Sequence, residues 1–264
     1  MSAINLENYW ESRLRKSFGT EGVGYFGLGR QYNNWLYRIR KRVFNSTMKP
    51  AGVNIKDAEV LDIGSGTGFY IDCWKKLGVK KIVGADITRV AVDELKKKYP
   101  GDEFIRLDIG DALGAIKQRR FSIVSAFDIL FHIVDDARFA GAIQNVHALL
   151  QPGGFFVFSD NFLRGETIRA EFQVSRSRRD IEKTLTASGF KIMARVPMFF
   201  FMNYPVDSKN PLLKKLWRLM AKIISIHEVC GFIIGALLYP VELIGLALIK
   251  EGPSTEMMIC RKPN

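Results

Sequence analysis

Cysteine is scarce in this sequence, and its few occurrences exclude two common kinds of cysteine chemistry. The chain of 264 residues has three cysteines, Cys73, Cys230 and Cys260, which lie far apart and show no Cys-x-x-Cys spacing. An odd number of widely spaced cysteines predicts neither a disulfide framework nor a zinc site, so we expect no metal. A reduced, cytoplasmic setting fits this use of cysteine.

Other common features are absent too. The first ten residues lack a basic stretch followed by an apolar core, so we expect no secretory signal. The sequence shows no internal repeat and no low-complexity segment. Positive charge, by contrast, is in excess, since 39 Lys and Arg against 27 Asp and Glu give a net charge of +12. This charge favours nucleic acid, an anionic membrane surface or an acidic substrate, without choosing among them.

The stretch from Glu59 to Tyr70 organises the rest of the chain. Its apolar run ends in the acidic residue Asp62. Three glycines spaced by two follow it: Gly64, Gly66 and Gly68. The pattern predicts a buried strand, a tight turn and the start of a helix. Glycine lets the backbone bend sharply and lets a ligand approach closely, and the free amides at the helix start would face that ligand.

The glycine spacing excludes one class of ligand. A dinucleotide-binding fingerprint needs Gly-x-Gly-x-x-Gly, whose third small residue lets the helix approach the sheet. That third position is Phe69 when counted from Gly64, and Ile71 when counted from Gly66. Both side chains are too large, so the loop is not a dinucleotide fingerprint.

Two further apolar segments each end in an aspartate. The segments Lys81 to Asp86 and Glu103 to Asp108 read as short strands. Asp86 stands 18 positions after Gly68, close to the offset at which an acidic residue meets ribose hydroxyls in related nucleotide folds. Ligands of open α/β sheets lie beyond the carboxyl ends of the strands, so we expect the three aspartates and the glycine loop to converge.

With these motifs, and with a Leu-x-Pro-Gly-Gly turn at positions 150 to 154, the sequence resembles the class I S-adenosylmethionine-dependent methyltransferases of the small-molecule type. The resemblance covers roughly residues 55 to 197 and the last strand. It implies a Rossmann-like, doubly wound α/β sheet of seven strands, whose last strand is antiparallel and lies between the fifth and the sixth. It also implies S-adenosyl-L-methionine as cofactor and S-adenosyl-L-homocysteine as product.

The resemblance implies roles for individual residues on the cofactor side. Asp62 and the glycine loop would hold the methionine part of the cofactor. Asp86 would bind the ribose and Ile87 would lie against adenine, whose amino group would meet Asp108 and the amide of Ile109. The expected cofactor-binding residues are Asp62, Gly64, Ser65, Gly66, Gly68, Asp86, Ile87, Asp108, Ile109 and Phe127, with Trp10, Tyr25 and Arg38 from the N-terminal segment.

The end of the fourth strand, from Phe121 to Ala126, would border the acceptor in the resembled family. His132 is expected to be the general base that takes a proton from the acceptor, because a histidine pKa near 6.5 suits proton transfer around neutrality. Asp128 would orient this histidine or bind the substrate. The alternative is that His132 only packs or hydrogen-bonds locally.

Four segments are expected along the chain: residues 1–50 as an N-terminal lid, 51–197 as the Rossmann-like core, 198–253 as a hydrophobic helical insertion, and 254–264 as the final strand of the core. Within the first segment, Asn33 to Phe44 has the apolar spacing of a helix, and the glycine-rich stretch before it predicts a mobile loop. The alternative to a lid is a helix merely packed on the sheet.

The insertion contains two helical patterns. Pro211 to Ile226 is amphipathic, with Trp217 among the apolar residues and lysines and arginines on the other face. The apolar stretch 229–249 is interrupted by Pro240 and Glu242, which predicts two short helices. We expect residues 212–249 to cover the active site, to form a homodimer interface, or to attach peripherally to the inner face of a membrane and admit a lipid-like acceptor.

The expected activity is methyl transfer to an oxygen or nitrogen of a small-molecule, glycan or lipid-linked acceptor. Two alternatives stay open. Positive charge favours a nucleic-acid methyltransferase, but the fourth strand is followed neither by an Asn/Asp-Pro-Pro-aromatic motif nor by a Pro-Cys nucleophile, so no nucleic-acid partner is expected. A non-catalytic relative that binds S-adenosylmethionine would keep the cofactor side and differ on the acceptor side.

Overall fold

A seven-stranded mixed sheet forms the centre of the computed structural model, which describes residues 6–48 and 55–264. The strand order is β3-β2-β1-β4-β5-β9-β8, and β6 and β7 pair separately as a short hairpin. The strands are β1 (Glu59–Ile63), β2 (Lys81–Asp86), β3 (Glu103–Arg106), β4 (Phe121–Ala126), β5 (Leu150–Asp160), β6 (Ile168–Arg169), β7 (Val174–Ser175), β8 (Lys191–Pro197) and β9 (Glu256–Arg261).

The directions of the strands confirm the predicted fold class. The strands from β3 to β5 run parallel to their neighbours, whereas β9 is antiparallel to both β5 and β8. The last strand of the chain therefore lies between the fifth and the sixth strands of the large sheet. Parallel strands need covering on both faces, and helices supply that cover here.

The helices are α1 (Leu6–Lys16), α2 (Thr20–Val23), α3 (Gly29–Met48), α4 (Phe69–Lys76), α5 (Arg89–Lys98), α6 (Asp136–Leu149), α7 (Arg178–Ala187), α8 (Pro211–Ile224) and α9 (Glu228–Leu248). Two buried clusters fill the space between helices and sheet. One joins the sheet to α3, α4, α5 and α8, and the other joins its opposite face to α6 and α7. The two clusters are the two cores of a doubly wound sheet.

The segment before α3 is helical rather than a loop, contrary to the sequence-based prediction. It forms α2 and a 3₁₀ turn at Phe26–Leu28. The Asn33 side chain fastens it, accepting from the Tyr25 amide at 2.9 Å and donating to the Tyr25 carbonyl at 2.8 Å. One helix position thus orders a glycine-rich stretch that has little local preference of its own.

Residues 228–248 form one continuous helix, so the predicted break near Pro240 is wrong. Tertiary packing holds α9 together: the buried Glu242 carboxylate accepts hydrogen bonds from three backbone amides at residues 200–202, at 2.7, 2.7 and 2.9 Å. Gly235 packs directly against the ring of Trp35. Proline removes a single helical hydrogen bond, and docking on both sides of Pro240 offsets that loss.

Candidate active site

The glycine loop after β1 adopts a backbone conformation that favours glycine. Gly64 has φ +71°, and a Cβ atom there would lie 2.2 Å from the Ile129 side chain. Gly68 has φ +84°, and a Cβ atom there would lie 2.9 Å from the Tyr99 hydroxyl on the side of α5. Left-handed backbone and close neighbours both require the absence of a side chain. The loop residues that line the adjoining cavity are Gly64, Ser65 and Gly66.

Asp86 lies at the carboxyl end of β2 and lines the same cavity. Its Oδ2 accepts from the Gly66 amide at 2.9 Å, and its Oδ1 accepts from the amide and the hydroxyl of Thr88 at 2.9 and 2.7 Å. Burial raises the pKa of Asp86, and these donors oppose the shift. A carboxylate has about four acceptor positions, so roughly one stays available for a ligand hydroxyl. Ile87 lines the cavity beside it.

Asp108 and Ile109 line the far end of the cavity, beyond β3. The Asp108 carboxylate accepts from the Gly110 amide at 2.8 Å and from the Arg138 guanidinium at 2.8 Å. Asn145 donates to the Ile109 carbonyl at 2.8 Å and fixes this turn. The structure thus brings both residues to the cavity, with Arg138 as a neighbour that the sequence did not indicate.

Asp62 does not line the cavity, unlike the loop that follows it. Its carboxylate is buried and accepts from the Ser125 hydroxyl at 2.6 Å, and Ser125 in turn accepts from the Trp74 indole at 3.1 Å. The Ser65 hydroxyl donates to the Asp62 carbonyl at 2.8 Å. Burial raises the pKa of Asp62 to about 7. Asp62 therefore stabilises the glycine loop through buried contacts outside the cavity. Gly68 also does not line the cavity.

Helix α1 closes one side of the cavity and contributes Trp10 to its wall. Two polar contacts fasten this lid to the core. The Glu11 carboxylate accepts from the Arg89 and Val90 amides at the start of α5, at 2.8 and 3.2 Å. Glu7 forms an ion pair with Arg106. The lid is thus attached to the elements that carry the adenosine end of the predicted cofactor site.

Tyr25 and Arg38 lie outside the cavity, so the structure does not support their predicted cofactor contacts. The Tyr25 hydroxyl donates to the Asn203 side chain at 2.6 Å. The Arg38 guanidinium lies 4.2 Å from the ring centre of Trp35, beside an open surface depression. Consecutive residues of a helix point about 100° apart, and it is Tyr37 rather than Arg38 that reaches the cavity.

Asp128 follows β4 in the left-handed region, with φ +59°, and lines the cavity. Its Oδ2 forms an ion pair with Arg40, and its Oδ1 accepts from the Ser159 hydroxyl at 2.9 Å. Burial opposes the charge of Arg40, but the Asp128 carboxylate beside it raises the pKa of Arg40. Both Asp128 oxygens are engaged away from His132, so the prediction that Asp128 orients this histidine is wrong.

His132 lines the cavity and is oriented by a backbone carbonyl instead. Its Nδ1 lies 2.9 Å from the Phe172 carbonyl oxygen. A carbonyl only accepts, so Nδ1 carries the proton and the neutral ring keeps a lone pair on Nε2. Burial lowers the pKa of His132, partly opposed by this hydrogen bond, and the neutral form dominates at pH 7. The Trp10 ring packs edge-on against His132, with centres 5.1 Å apart.

Sequence reasoning missed several residues around the acceptor end. Phe172 lies in the turn between β6 and β7, whose two-residue strands are too short to show a period. Tyr70 stacks on Phe127 with ring centres 3.7 Å apart, and both line the cavity. The one signal in the sequence was that Tyr37 falls within the helix predicted over Asn33 to Phe44. The acceptor end is therefore more aromatic than the sequence suggested.

The cavity-lining residues named above surround a partly open cavity of about 610 Å³ at the carboxyl edge of the sheet. It joins the glycine loop and Asp86 at one end to His132 and Asp128 at the other. Among residues 6–48 and 55–264, no group of three His, Cys, Asp or Glu side chains is placed to hold a metal ion. This strand order and this cavity together define the Rossmann-like fold of a class I methyltransferase.

Comparison with known proteins agrees with this class. Residues 60–154 match the family of methyltransferase domains. An mRNA cap guanine-N(7) methyltransferase of Caenorhabditis briggsae is 27% identical over 143 residues, which cover 48% of this chain and 37% of that protein. The chain thus spans little more than a third of the length of the curated relatives it matches.

Two solved structures extend the likeness to nearly the whole chain. Magnesium protoporphyrin IX methyltransferase from Synechocystis PCC 6803, with bound S-adenosylmethionine, has a TM-score of 0.59 at 13% identity and 99% coverage of both chains. The N-methyltransferase NodS from Bradyrhizobium japonicum WM9, with S-adenosylhomocysteine, has a TM-score of 0.56 at 14% identity, covering 99% of this chain and 100% of that one. At these identities the likeness concerns the fold.

The methyltransferase domain matched at residues 60–154, with the shared fold, supports a class I S-adenosylmethionine-dependent methyltransferase whose cofactor is S-adenosylmethionine. The site itself fits that group. Gly64 and Gly66 line the cavity, so a bound molecule meets their backbone there, and Asp86 keeps about one acceptor position that a ribose hydroxyl could use. Most of the cofactor-binding residues expected from the sequence therefore line one cavity. The exceptions are Asp62, Gly68, Tyr25 and Arg38.

Proposed function

We propose that the protein transfers the methyl group of S-adenosylmethionine to an oxygen or nitrogen of a small-molecule, glycan or lipid-linked acceptor. The observation that carries the proposal is the partly covered acceptor end, where α1 and the β6–β7 hairpin lie beside His132. Tyr9 on α1 packs against Phe172 of the hairpin, with ring centres 5.4 Å apart. An acceptor that enters beneath these two elements has to be small or has to present a narrow group.

His132 is the proposed general base. Its Nδ1 proton is held by the Phe172 carbonyl, so Nε2 is the atom that accepts the proton of an acceptor hydroxyl or amine. Bound S-adenosylmethionine supplies an electrophilic methyl group and leaves as S-adenosylhomocysteine. The aromatic walls of Trp10, Tyr70 and Phe127 exclude water and hold the two reactants in fixed positions, which supplies part of the rate.

A nucleic-acid acceptor is the second candidate, because curated relatives include mRNA cap guanine-N(7) methyltransferases and the net charge is +12. The similarity covers 48% of this chain at 27% identity, so about half of the chain has no counterpart in that relative. The partial cover that α1 and the β6–β7 hairpin give to the acceptor end favours a small or narrow group over a folded RNA. A cap nucleotide would nevertheless meet that requirement of size, so experiment has to separate the two.

The test is transfer of a labelled methyl group from S-adenosylmethionine into a cell extract that is then fractionated. We expect label among small molecules or extractable lipids and glycans, and at least a hundredfold less label with His132→Ala. Label confined to RNA would replace the small-acceptor proposal with the nucleic-acid one. Binding of the cofactor without label in any fraction would favour a non-catalytic relative.

A further inference from the structure

Helices α8 and α9 carry an apolar surface that residues 6–48 and 55–264 leave uncovered. We call it the outer apolar face; its central residues are Leu216, Leu219, Ile223, Ile233, Leu237 and Ile244, each between 42% and 68% exposed. Their spacing of three, four or seven places them along one side of each helix. Exposed apolar area of this extent marks a binding surface rather than ordinary solvent-facing helix.

The inner sides of the same helices show that this exposure does not come from loose docking. Trp217 and Ile224 of α8 are buried, as are Gly231, Gly235 and Gly245 of α9. The Glu242 carboxylate is fully buried and accepts from three backbone amides of the core. Both helices are therefore fixed to the methyltransferase core by one side and present the other outward.

Helix α9 has the length and composition of a membrane span, with a mean hydropathy of 2.0 over its most apolar window, of which 22% is buried. A core helix of that hydropathy would be mostly buried. A helix that crosses the bilayer would have to release Glu242 and the buried glycines from their contacts with the core. The fixed side of α9 thus favours a position along the surface of a bilayer over one across it.

Basic side chains flank the outer apolar face on two sides. Lys215, Arg218 and Lys222 of α8 are exposed. On the side of α9, three residues of α3 line an open depression together with Tyr239: Arg38, Lys41 and Arg42. Within the described parts of the chain, none of these three forms an ion pair with a carboxylate. The neighbouring Lys76 lowers the pKa of Lys41, which shows that positive charges crowd here.

The positions of these charges decide between two occupants of the face. In a two-fold dimer the same patch meets itself, so the flanking cations would face cations of the second copy. An anionic bilayer instead offers an apolar interior for the leucines and isoleucines and negative headgroups for the flanking lysines and arginines. Tyr239, between the apolar helix and the basic depression, is the residue type enriched at that boundary.

We propose that the outer apolar face of α8 and α9 attaches the protein to an anionic lipid bilayer, as a peripheral protein whose helices lie in the plane of the interface. No residue between 212 and 249, all of which the structure describes, lines the active-site cavity. The attachment surface is therefore separate from the chemistry. It is, however, linked to the segment beside the lid, because Glu228 accepts from the Arg30 and Gln31 amides at the start of α3.

The test is flotation of the full chain with vesicles of neutral lipid or of neutral lipid mixed with anionic phospholipid, at low and at high salt. We expect tight association with the anionic vesicles at low salt, weakened by salt because the charge contribution is screened. We also expect Leu219→Gln with Leu237→Gln to weaken association more than tenfold. The matched control, Ile168→Gln with Met193→Gln, alters two residues exposed to a similar degree elsewhere and should change nothing.

Charge is tested separately. Lys215→Gln with Lys222→Gln should weaken association with anionic vesicles by about thirtyfold, since each cation near the surface is worth roughly 1 kcal/mol. Lys96→Gln with Lys183→Gln removes the same charge from α5 and α7 and should have little effect. No association of the folded wild-type protein with anionic vesicles would overturn the proposal. A second outcome would also overturn it: the wild-type protein forms a stable dimer in solution and does not bind vesicles, and Leu219→Gln with Leu237→Gln converts the dimer to monomer.

Discussion

Hydrogen bonds within the protein hold the Asp86 carboxylate in a fixed position. Three donors from the Gly66 amide and from Thr88 hold both of its oxygens in place at the carboxyl end of β2. Burial makes each of these hydrogen bonds costly to leave unmade. A group held in this way gives a bound ribose a fixed acceptor, so binding requires little rearrangement.

We expect Asp86→Ala to weaken binding of S-adenosylmethionine by about 1–3 kcal/mol, through loss of a charge-assisted hydrogen bond to the ribose. Titration calorimetry with the cofactor measures the change, and a melting curve establishes that the variant is folded. Asp93→Ala, which removes an exposed carboxylate on α5, is the matched control. Unchanged affinity in a folded Asp86→Ala variant would remove the ribose role.

His132 acts at the other end of the cavity, and its pH dependence is a second test at this scale. A base must be neutral to accept a proton, and burial lowers the pKa of His132. Turnover should therefore stay level as the pH falls toward 6.5 and decline only below that value. We expect His132→Ala to lower turnover by about 10²–10⁴-fold and to abolish the acid limb. A loss under threefold would leave His132 a structural role only.

At the scale of elements, a carboxylate of α1 caps the N-terminus of α5 and so holds the lid to the core. The Glu11 carboxylate of α1 accepts from the two free amides that begin α5. A negative charge at a helix start also meets the positive end of the helix dipole. Helix α1 and the helix that follows Asp86 therefore stabilise each other.

We expect Glu11→Gln to loosen the lid and raise the KM for S-adenosylmethionine severalfold, because the charged acceptor at the α5 start is lost. The effect on the free energy of unfolding should stay near 1 kcal/mol, since α1 lies at the edge of the core. Glu94→Gln is the control, because Glu94 also lies on α5 but forms its ion pair with Lys97 of the same helix. Equal KM values for the two variants would count against the lid contact.

At the scale of the whole molecule, two buried carboxyl groups link stability to pH. Burial raises the pKa of both Asp62 and Asp160 to about 7. Their folded pKa values lie above the unfolded value near 3.9, so the folded protein binds these protons more tightly. Each group therefore contributes stability at low pH that is lost as the pH rises toward 7.

We expect Asp62→Asn to gain stability relative to the wild type as the pH rises from 5 to 8, by about 2–3 kcal/mol. Asparagine keeps an oxygen for the Ser125 hydroxyl and takes no charge, so the cost of ionising a buried group disappears. Denaturant unfolding of both proteins at the two pH values measures the difference. A difference that is the same at pH 5 and pH 8 would mean that Asp62 titrates normally.

Much of the core could be predicted from the sequence because its signals are local. The run before Asp62 and the glycines after it determine a strand, a left-handed turn and a helix start, whichever residues surround them. The same holds for Thr88, a residue type favoured at helix starts, which caps α5 by accepting from the Ala91 amide. Repetition of such units, each ending in an aspartate, indicated the parallel sheet and the edge that carries the site.

The contacts between residues far apart in the sequence were determined only by the tertiary structure. The orientation of His132 depends on a carbonyl 40 residues further on, and that of Asp128 on an arginine 88 residues earlier. Pro240 predicted a break in α9 by its local chemistry, yet the Glu242 carboxylate and the close packing of Gly235 hold the helix continuous. Local preferences amount to a few kcal/mol at most, and burial across many contacts outweighs them.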